Sequence, residues 1–357
     1  MSIDVIVIGA PRSGTYWVVD ILNSHFGISF PSETHFIPIF KRYSFLFGNL
    51  KRHNNRRRLL RAILQFIQLW TPRSGSSEDY IKGIREFSLL SVYDSGKQDW
   101  IIANSSDYES LIACLFEAFK DLKSANHVGD KSAHFFPKPS VKTLDLCPSA
   151  KVLHIVRDGR DVAESWKKQW FGPDNYFSAG VIWKSHENHY DNWGATHKDR
   201  YLKISYEDLA LKKTDVLNSI RHFIGSNYQF SVEPVSSNTM SEVLSQIDSH
   251  AKIITMKADD NLSKWRSANL TSVGQFESVA IQSLEKNQYE MSSAGSSFSR
   301  LKYFYGWIRL FVNLHFYKVI IKNNLPPVIW LMNFLGIPVE SILNRKFPDI
   351  WKQPIKL

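Results

Sequence analysis

Cysteine is nearly absent. Cys114 and Cys147 are the only two in 357 residues, too few for a disulfide framework or a cysteine-rich zinc site, and such a composition suits a reducing compartment. Long apolar runs are missing too. The longest charge-free stretch of the C-terminal part, residues 323–339, is interrupted by Pro326, Pro327 and Pro338. It falls short of the roughly 20 apolar residues a spanning helix needs, so no transmembrane helix is expected. Residues 1–9 carry no basic segment ahead of a cleavable apolar stretch; export is not expected, and the expected location is cytoplasmic. No internal repeat and no nucleic-acid motif is visible, so nucleic acid is not an expected partner.

What the chain does have is core material, at 43% hydrophobic and 22% charged residues. That balance fits one large folded domain with additions. Lys plus Arg exceed Asp plus Glu by 44 to 34, a net +10, which favours an anionic partner. The excess is uneven: residues 300–357 hold nine cations and two acids, Glu340 and Asp349, so they carry +7 and residues 1–299 only +3. A run of small polar residues, 292–297, marks the change. We therefore divide the chain into a domain of residues 1–299 and a basic, aromatic-rich extension of residues 300–357.

Short runs of branched residues at 4–8, 152–156 and 201–204 predict buried strands. Helical patterns cover 15–25, 161–170, 179–193 and 208–224. Strands alternating with helices predict an α/β fold with a mostly parallel sheet.

Two motifs follow strands. Gly9-Ala10-Pro11-Arg12-Ser13-Gly14-Thr15 stands between the first strand and the first helix, where backbone N–H groups and the helix N-terminus can hold an oxyanion. The glycines have Walker A spacing, but Thr15 and Tyr16 replace the lysine and the metal-binding hydroxyl. That substitution argues against a metal-dependent ATPase or kinase. Arg12 supplies a fixed, forked cation instead. The plainer reading is turn chemistry alone. The second motif, Arg157-Asp158-Gly159-Arg160-Asp161 with Ser165 one helical turn on, puts a cation and a hydroxyl at the carboxyl edge of the sheet. Its plainer reading is a solvated charge cluster capping a helix.

Together these two motifs resemble the sulfotransferase family over about residues 3–270. Pro-Arg-Ser-Gly-Thr in the loop, and Glu33-Thr34 after the first helix, are similar to the branch that holds bacterial and protein-tyrosine sulfotransferases. The resemblance implies a P-loop-type central parallel β-sheet flanked by helices, here with a mostly helical C-terminal extension. It implies 3′-phosphoadenosine 5′-phosphosulfate (PAPS) as sulfuryl donor and no metal. Pro11, Arg12, Ser13, Gly14, Thr15 and Tyr16 match the 5′-phosphosulfate loop, and Arg157 and Ser165 match the grip on the 3′-phosphate. Tyr206 matches a tyrosine near the nucleotide. Lys257, Lys264 and Trp265 lie where the family folds a loop over the donor, although the spacing there departs from the pattern.

Sulfuryl transfer to a hydroxyl or amine needs a base for the acceptor proton and cations for the leaving oxygen. Glu33 matches the family's base, with His35 as the second candidate and His134 as a further one. Lys131 matches the lysine that contacts the sulfuryl group and, with Arg12, would stabilise developing charge. The acceptor is an organic molecule, with carbohydrate, lipid and small molecule all open, and the oligomeric state is not set by the sequence.

Two features stand outside this scheme. Residues 51–61 hold six cations, read either as an acidic-acceptor contact or as a solvated helix face. The extension interleaves Arg309, Lys318 and Lys322 with eleven aromatic residues, read either as a peripheral membrane contact or as helices completing the core. Two rivals to the sulfotransferase reading are a P-loop nucleotide-type kinase and a non-catalytic nucleotide-binding or membrane-adaptor protein.

Overall fold

The computed structural model describes residues 3–70, 86, 88–169, 172–225, 227, 228, 230, 231, 261–293, 297–311 and 324–336. Five strands form one parallel sheet: β1 (Val5–Ile8), β2 (Ile28–Ser29), β3 (His127–Asp130), β4 (Lys151–Val156) and β5 (Tyr201–Ser205), in the order β2-β3-β1-β4-β5. All four residues of β1 are buried, as a central strand covered on both faces requires. Its side chains alternate: Ile6 and Ile8 enter one apolar layer, Val5 and Val7 the opposite one. The chain leaves β1 towards β3 and later returns to β4 on the other flank. The carboxyl end of β1 is thus the switch point where such sheets open a crevice.

Twelve of the helices among the described residues are α1 (Thr15–Phe26), α2 (Ile37–Tyr43), α3 (His53–Trp70), α4 (Tyr108–Leu122), α5 (Pro137–Leu146), α6 (Gly159–Trp166), α7 (Tyr176–Thr196), α8 (Tyr206–Leu211), α9 (Lys213–Ile224), α10 (Leu270–Lys286), α11 (Arg300–Phe311) and α12 (Leu325–Phe334). Three expected strands and the helices expected at 15–25 and 179–193 are in place, while the one expected at 161–170 runs over Gly159–Trp166 and gives way to a turn. The helix expected at 208–224 is two, because Lys212 leaves helical geometry (φ −133°, ψ 45°). β2 and β3 were not anticipated. They are two and four residues long, and His127-Val128-Gly129-Asp130 has no branched run to announce it.

Both described C-terminal helices join the domain by one face. Gly306 of α11 lies so close to α7 that a Cβ there would stand 2.8 Å from Val181 Cγ2 and 2.9 Å from the Phe177 carbonyl. Ser178 Oγ donates to the Gly306 carbonyl at 2.8 Å. Leu310 enters the core layer of Trp183 and Phe276, and Ile329 and Met332 of α12 enter the layer of α3. The cationic run does not form one patch. Arg56 is buried, donating to the carbonyls of Leu50 (2.6 Å) and Ile102 (2.9 Å), and Arg57 pairs with Asp99 at 2.7 Å. No helix among the described residues is long and apolar enough to cross a membrane.

Candidate active site

The loop from Gly9 to Gly14 turns β1 into α1 at the switch point. Ser13 closes it, donating through both its backbone N–H (3.0 Å) and its hydroxyl (2.7 Å) to the Ala10 carbonyl. Gly14 stands at φ 99°, and a Cβ there would be 2.6 Å from Tyr206 Cδ2; both conformation and space demand glycine. Arg12 also has positive φ, 75°, an uncommon state for a side chain with a Cβ that accumulates at ligand clamps. α1 begins with no side-chain cap and no acid in its first turn. Its orphan N–H groups and positive dipole end therefore face the loop.

Three of the expected anion-binding groups converge beside this loop. Arg12 Nε donates to Ser165 Oγ at 3.0 Å, and Arg157 Nη1 reaches the Arg12 carbonyl at 3.3 Å. The guanidinium of Arg157 lies over the Tyr206 ring, 4.6 Å from its centroid, and donates to the Asn261 carbonyl at 2.7 Å. Among the described residues, its buried Nε has no hydrogen-bond partner. Burial first, and then the Arg157 charge, lower the pKa of Arg12. Two neighbouring guanidinium groups and an unsatisfied donor make an environment that a phosphate or sulfate would relieve. The sequence placed these groups in two separate grips; in the fold, Arg12 bridges them.

The third part comes from the loops after β2 and β3. Lys131 and Glu33 Oε1 form an ion pair, and Glu33 Oε2 meets His35 Nε2 at 2.6 Å. Lys131 Nζ sits 3.2 Å from the centroid of the Tyr16 ring, which places this triad against the first turn of α1. His134 packs its ring edge-on to His35, with centroids 4.8 Å apart. Burial pushes Glu33 up, yet Lys131 and His35 together hold its carboxyl well below the usual range. Burial lowers Lys131, and the pair with Glu33 opposes that.

A clamp not anticipated from the sequence holds the triad's backbone. Asp130, 1% exposed at the end of β3, accepts from Thr34 Oγ1 at 3.0 Å and from Ser132 Oγ at 3.4 Å. Ser132 Oγ in turn accepts the N–H groups of Thr34 (3.2 Å) and His35 (3.1 Å). His35 is fixed at φ 53°. Burial raises the Asp130 pKa to about 6 despite these bonds. In the sequence Thr34 stands out only as part of the Glu33-Thr34 pair, with no role of its own; no local pattern marks Asp130 or Ser132, and only their adjacency to Lys131 could have drawn notice.

The remaining candidates scatter. Lys264 Nζ donates to Asn261 Oδ1 at 2.5 Å, on the same residue whose carbonyl Arg157 meets. Trp265 is buried, its N–H on Asp161 Oδ1 at 2.8 Å, and Arg160 lies 3.6 Å over its ring. Arg160 itself is fully engaged, paired with Asp158 and Glu277, both at 2.7 Å. Lys257 falls outside the described residues. Pro11 and Thr15 are buried in the loop and first turn.

Residues 4–229 match the profile of the sulfotransferase family. Among curated proteins, none matches the chain in sequence. Of the solved structures, the sulfotransferase domain from the Synechococcus PCC 7002 olefin synthase is similar at 21% identity and TM-score 0.50, covering 81% of this chain and 95% of that one. The sulfotransferase domain from the curacin biosynthetic pathway is similar at 17% identity and TM-score 0.53, covering 81% and 99%. At these identities the two structures speak to the fold.

Proposed function

Because the chain belongs to the sulfotransferase family, we propose that it transfers the sulfuryl group of PAPS to a hydroxyl or amine of an organic acceptor. One observation supports this reading above the others. Lys131, against the Tyr16 ring, links the Glu33–His35 pair to a loop whose Arg12 already bridges to Ser165 and Arg157. A proton acceptor and a polyanion grip thereby share one sheet edge.

The residues fit the donor. The uncapped start of α1 and the Gly9–Gly14 loop would take its 5′ end, and Arg157 with Ser165 its 3′-phosphate, where Arg157 Nε lacks a partner among the described residues. PAPS supplies an activated sulfuryl group whose leaving oxygen needs positive charge. Arg12 provides that charge from a fixed position, so it requires little reorganisation there, and Lys131 brings a second cation once it leaves Glu33. Glu33 takes the acceptor proton. While Lys131 and His35 both bind it, Glu33 is a weak base; when the Lys131 ammonium turns to the sulfuryl oxygens, the carboxylate loses its strongest partner and its basicity rises. His35 keeps Glu33 oriented throughout.

Incubation of the purified protein with PAPS carrying radiolabelled sulfate and a panel of phenols, sugars, glycolipids and tyrosine peptides tests the proposal. Label is expected on at least one acceptor class without added divalent metal. Donor binding without transfer to any acceptor would favour a non-catalytic binding protein, and Mg²⁺-dependent turnover of ATP would favour a kinase; either overturns the reading.

A further inference from the structure

Sulfuryl transfer leaves unused the cationic run at 51–61 and the apolar helix α12, and the fold sets them side by side. α12 packs on α2, on the 3-10 turn Ser44–Phe47 and on α3. Tyr43 Oη donates to Asn324 Oδ1 at 2.6 Å, and the side-chain amides of Gln65 and Asn333 exchange hydrogen bonds at 2.8 and 3.3 Å. Ile329 and Met332 face inward. Val328, Leu331, Phe334 and Leu335 face out, at 44%, 48%, 73% and 58% exposure. Phe45, on the turn beneath, is 71% exposed. Residues 324–336 contain no charged side chain. On α3, Arg61 stands four residues before Gln65 and Arg58 seven before it, so both lie along the stripe that leads to the α12 contact. Both are exposed, as are Lys51 and Arg52 ahead of α3.

We infer that α12 and the exposed cations of α3 form a docking surface for an anionic lipid bilayer. A helix facing water ordinarily places charges on its outer side; this one places a Leu, a Phe and a Val there, with another Leu just past its end. An apolar face bordered by arginines is the composition of a helix lying in the membrane interface, its apolar groups among the acyl chains and its cations on the headgroups. Charge decides between a bilayer and a second copy of this chain. A two-fold self-contact would bring the same cationic border against itself, whereas anionic headgroups neutralise it. The contact is peripheral, since none of the described helices can span.

Sedimentation of the full chain with vesicles tests the inference, and because no donor is needed, its failure leaves the catalytic proposal standing. The protein is expected to pellet with vesicles of phosphatidylcholine and phosphatidylglycerol, and to stay in solution with phosphatidylcholine alone or at high salt. Leu331→Ser/Phe334→Ser and Arg58→Glu/Arg61→Glu are each expected to weaken partitioning about tenfold or more, with unfolding temperatures unchanged because the altered side chains are exposed. The inference is overturned if the parent protein ignores anionic vesicles, binds neutral ones equally, or is unaffected by both double variants. Light scattering that shows a dimer converted to monomer by Leu331→Ser/Phe334→Ser would equally overturn it, assigning the face to a second copy.

Discussion

At the scale of single residues, the proposed function separates binding from proton transfer. Arg12 touches Ser165 and lies beside Arg157, so Arg12→Ala is expected to weaken PAPS binding about 10- to 100-fold, the loss of a charge-assisted contact, as read by calorimetry. Glu33→Gln should leave that binding within about threefold and lower turnover about 10²- to 10⁴-fold; normal turnover in Glu33→Gln removes it as the base. Asp130 makes a pH prediction. With its pKa at about 6 in the fold and near 4 when unfolded, the native state holds the extra proton between those values. Stability from this group is therefore complete below about pH 4 and lost as pH rises through 6. Asp161, also raised to about 6 by burial, acts in the same direction. Asp130→Asn should remove on the order of 2–3 kcal/mol of this decline, visible as a smaller difference in Tm between pH 4 and pH 7.5 buffers.

At the scale of elements, two glycines decide how helices seat. Gly14 combines a φ of 99° with a side chain 2.6 Å from where a Cβ would stand. Gly14→Ala is expected to cost more than about 2 kcal/mol, because neither the loop nor the Tyr206 ring can yield without moving α8. Donor binding should fall with it. Gly306 lets α11 approach the α7 backbone, and Gly306→Val should lower stability by about 2–3 kcal/mol as the helix is pushed out. A denaturant midpoint unchanged in Gly306→Val would show that α11 contributes little to the fold.

Across the whole molecule, one buried polar network fastens α7 to the sheet. Lys203 of β5 reaches Glu187 (3.2 Å) and Asp191 (2.8 Å), Lys286 of α10 reaches Asp191 (2.7 Å), and His154 of β4 lies 3.5 Å from Glu187. His154, Glu187 and Asp191 offer ligand atoms within 4.8 Å of one another, but the two ammonium groups already balance the carboxylates. Burial raises Glu187, while His154 and then Lys203 bring it below its usual range; Lys203 and Lys286 do the same for Asp191 against the effect of burial. Groups with lowered pKa contribute stability above their unfolded values and lose it as pH falls through the folded ones. Lys203→Met should therefore cost about 3 kcal/mol at pH 7, leaving buried carboxylates under-compensated, and much less near pH 3. Urea unfolding at the two pH values checks the sign.

What the sequence determined by itself was local: β1, β4 and β5 from branched runs, the turn from glycines at a strand–helix junction, and Arg157 and Ser165 as candidates from a short motif, whereas Glu33 and Lys131 became candidates only through the family resemblance. Each depends on neighbours a few positions away, where backbone sterics and periodicity act. β2, β3 and the clamp of Thr34, Ser132 and Asp130 were illegible because their partners lie about a hundred residues off and no local run marks them. The tertiary structure alone decided that Arg12 bridges the two sequence motifs, that Lys131 sits on Glu33, that Arg56 leaves the cationic run for the interior, and that the apolar α12 borders Arg58 and Arg61. Strand order fixes which loops share an edge, and burial fixes which charges must find partners; neither can be read from spacing along the chain.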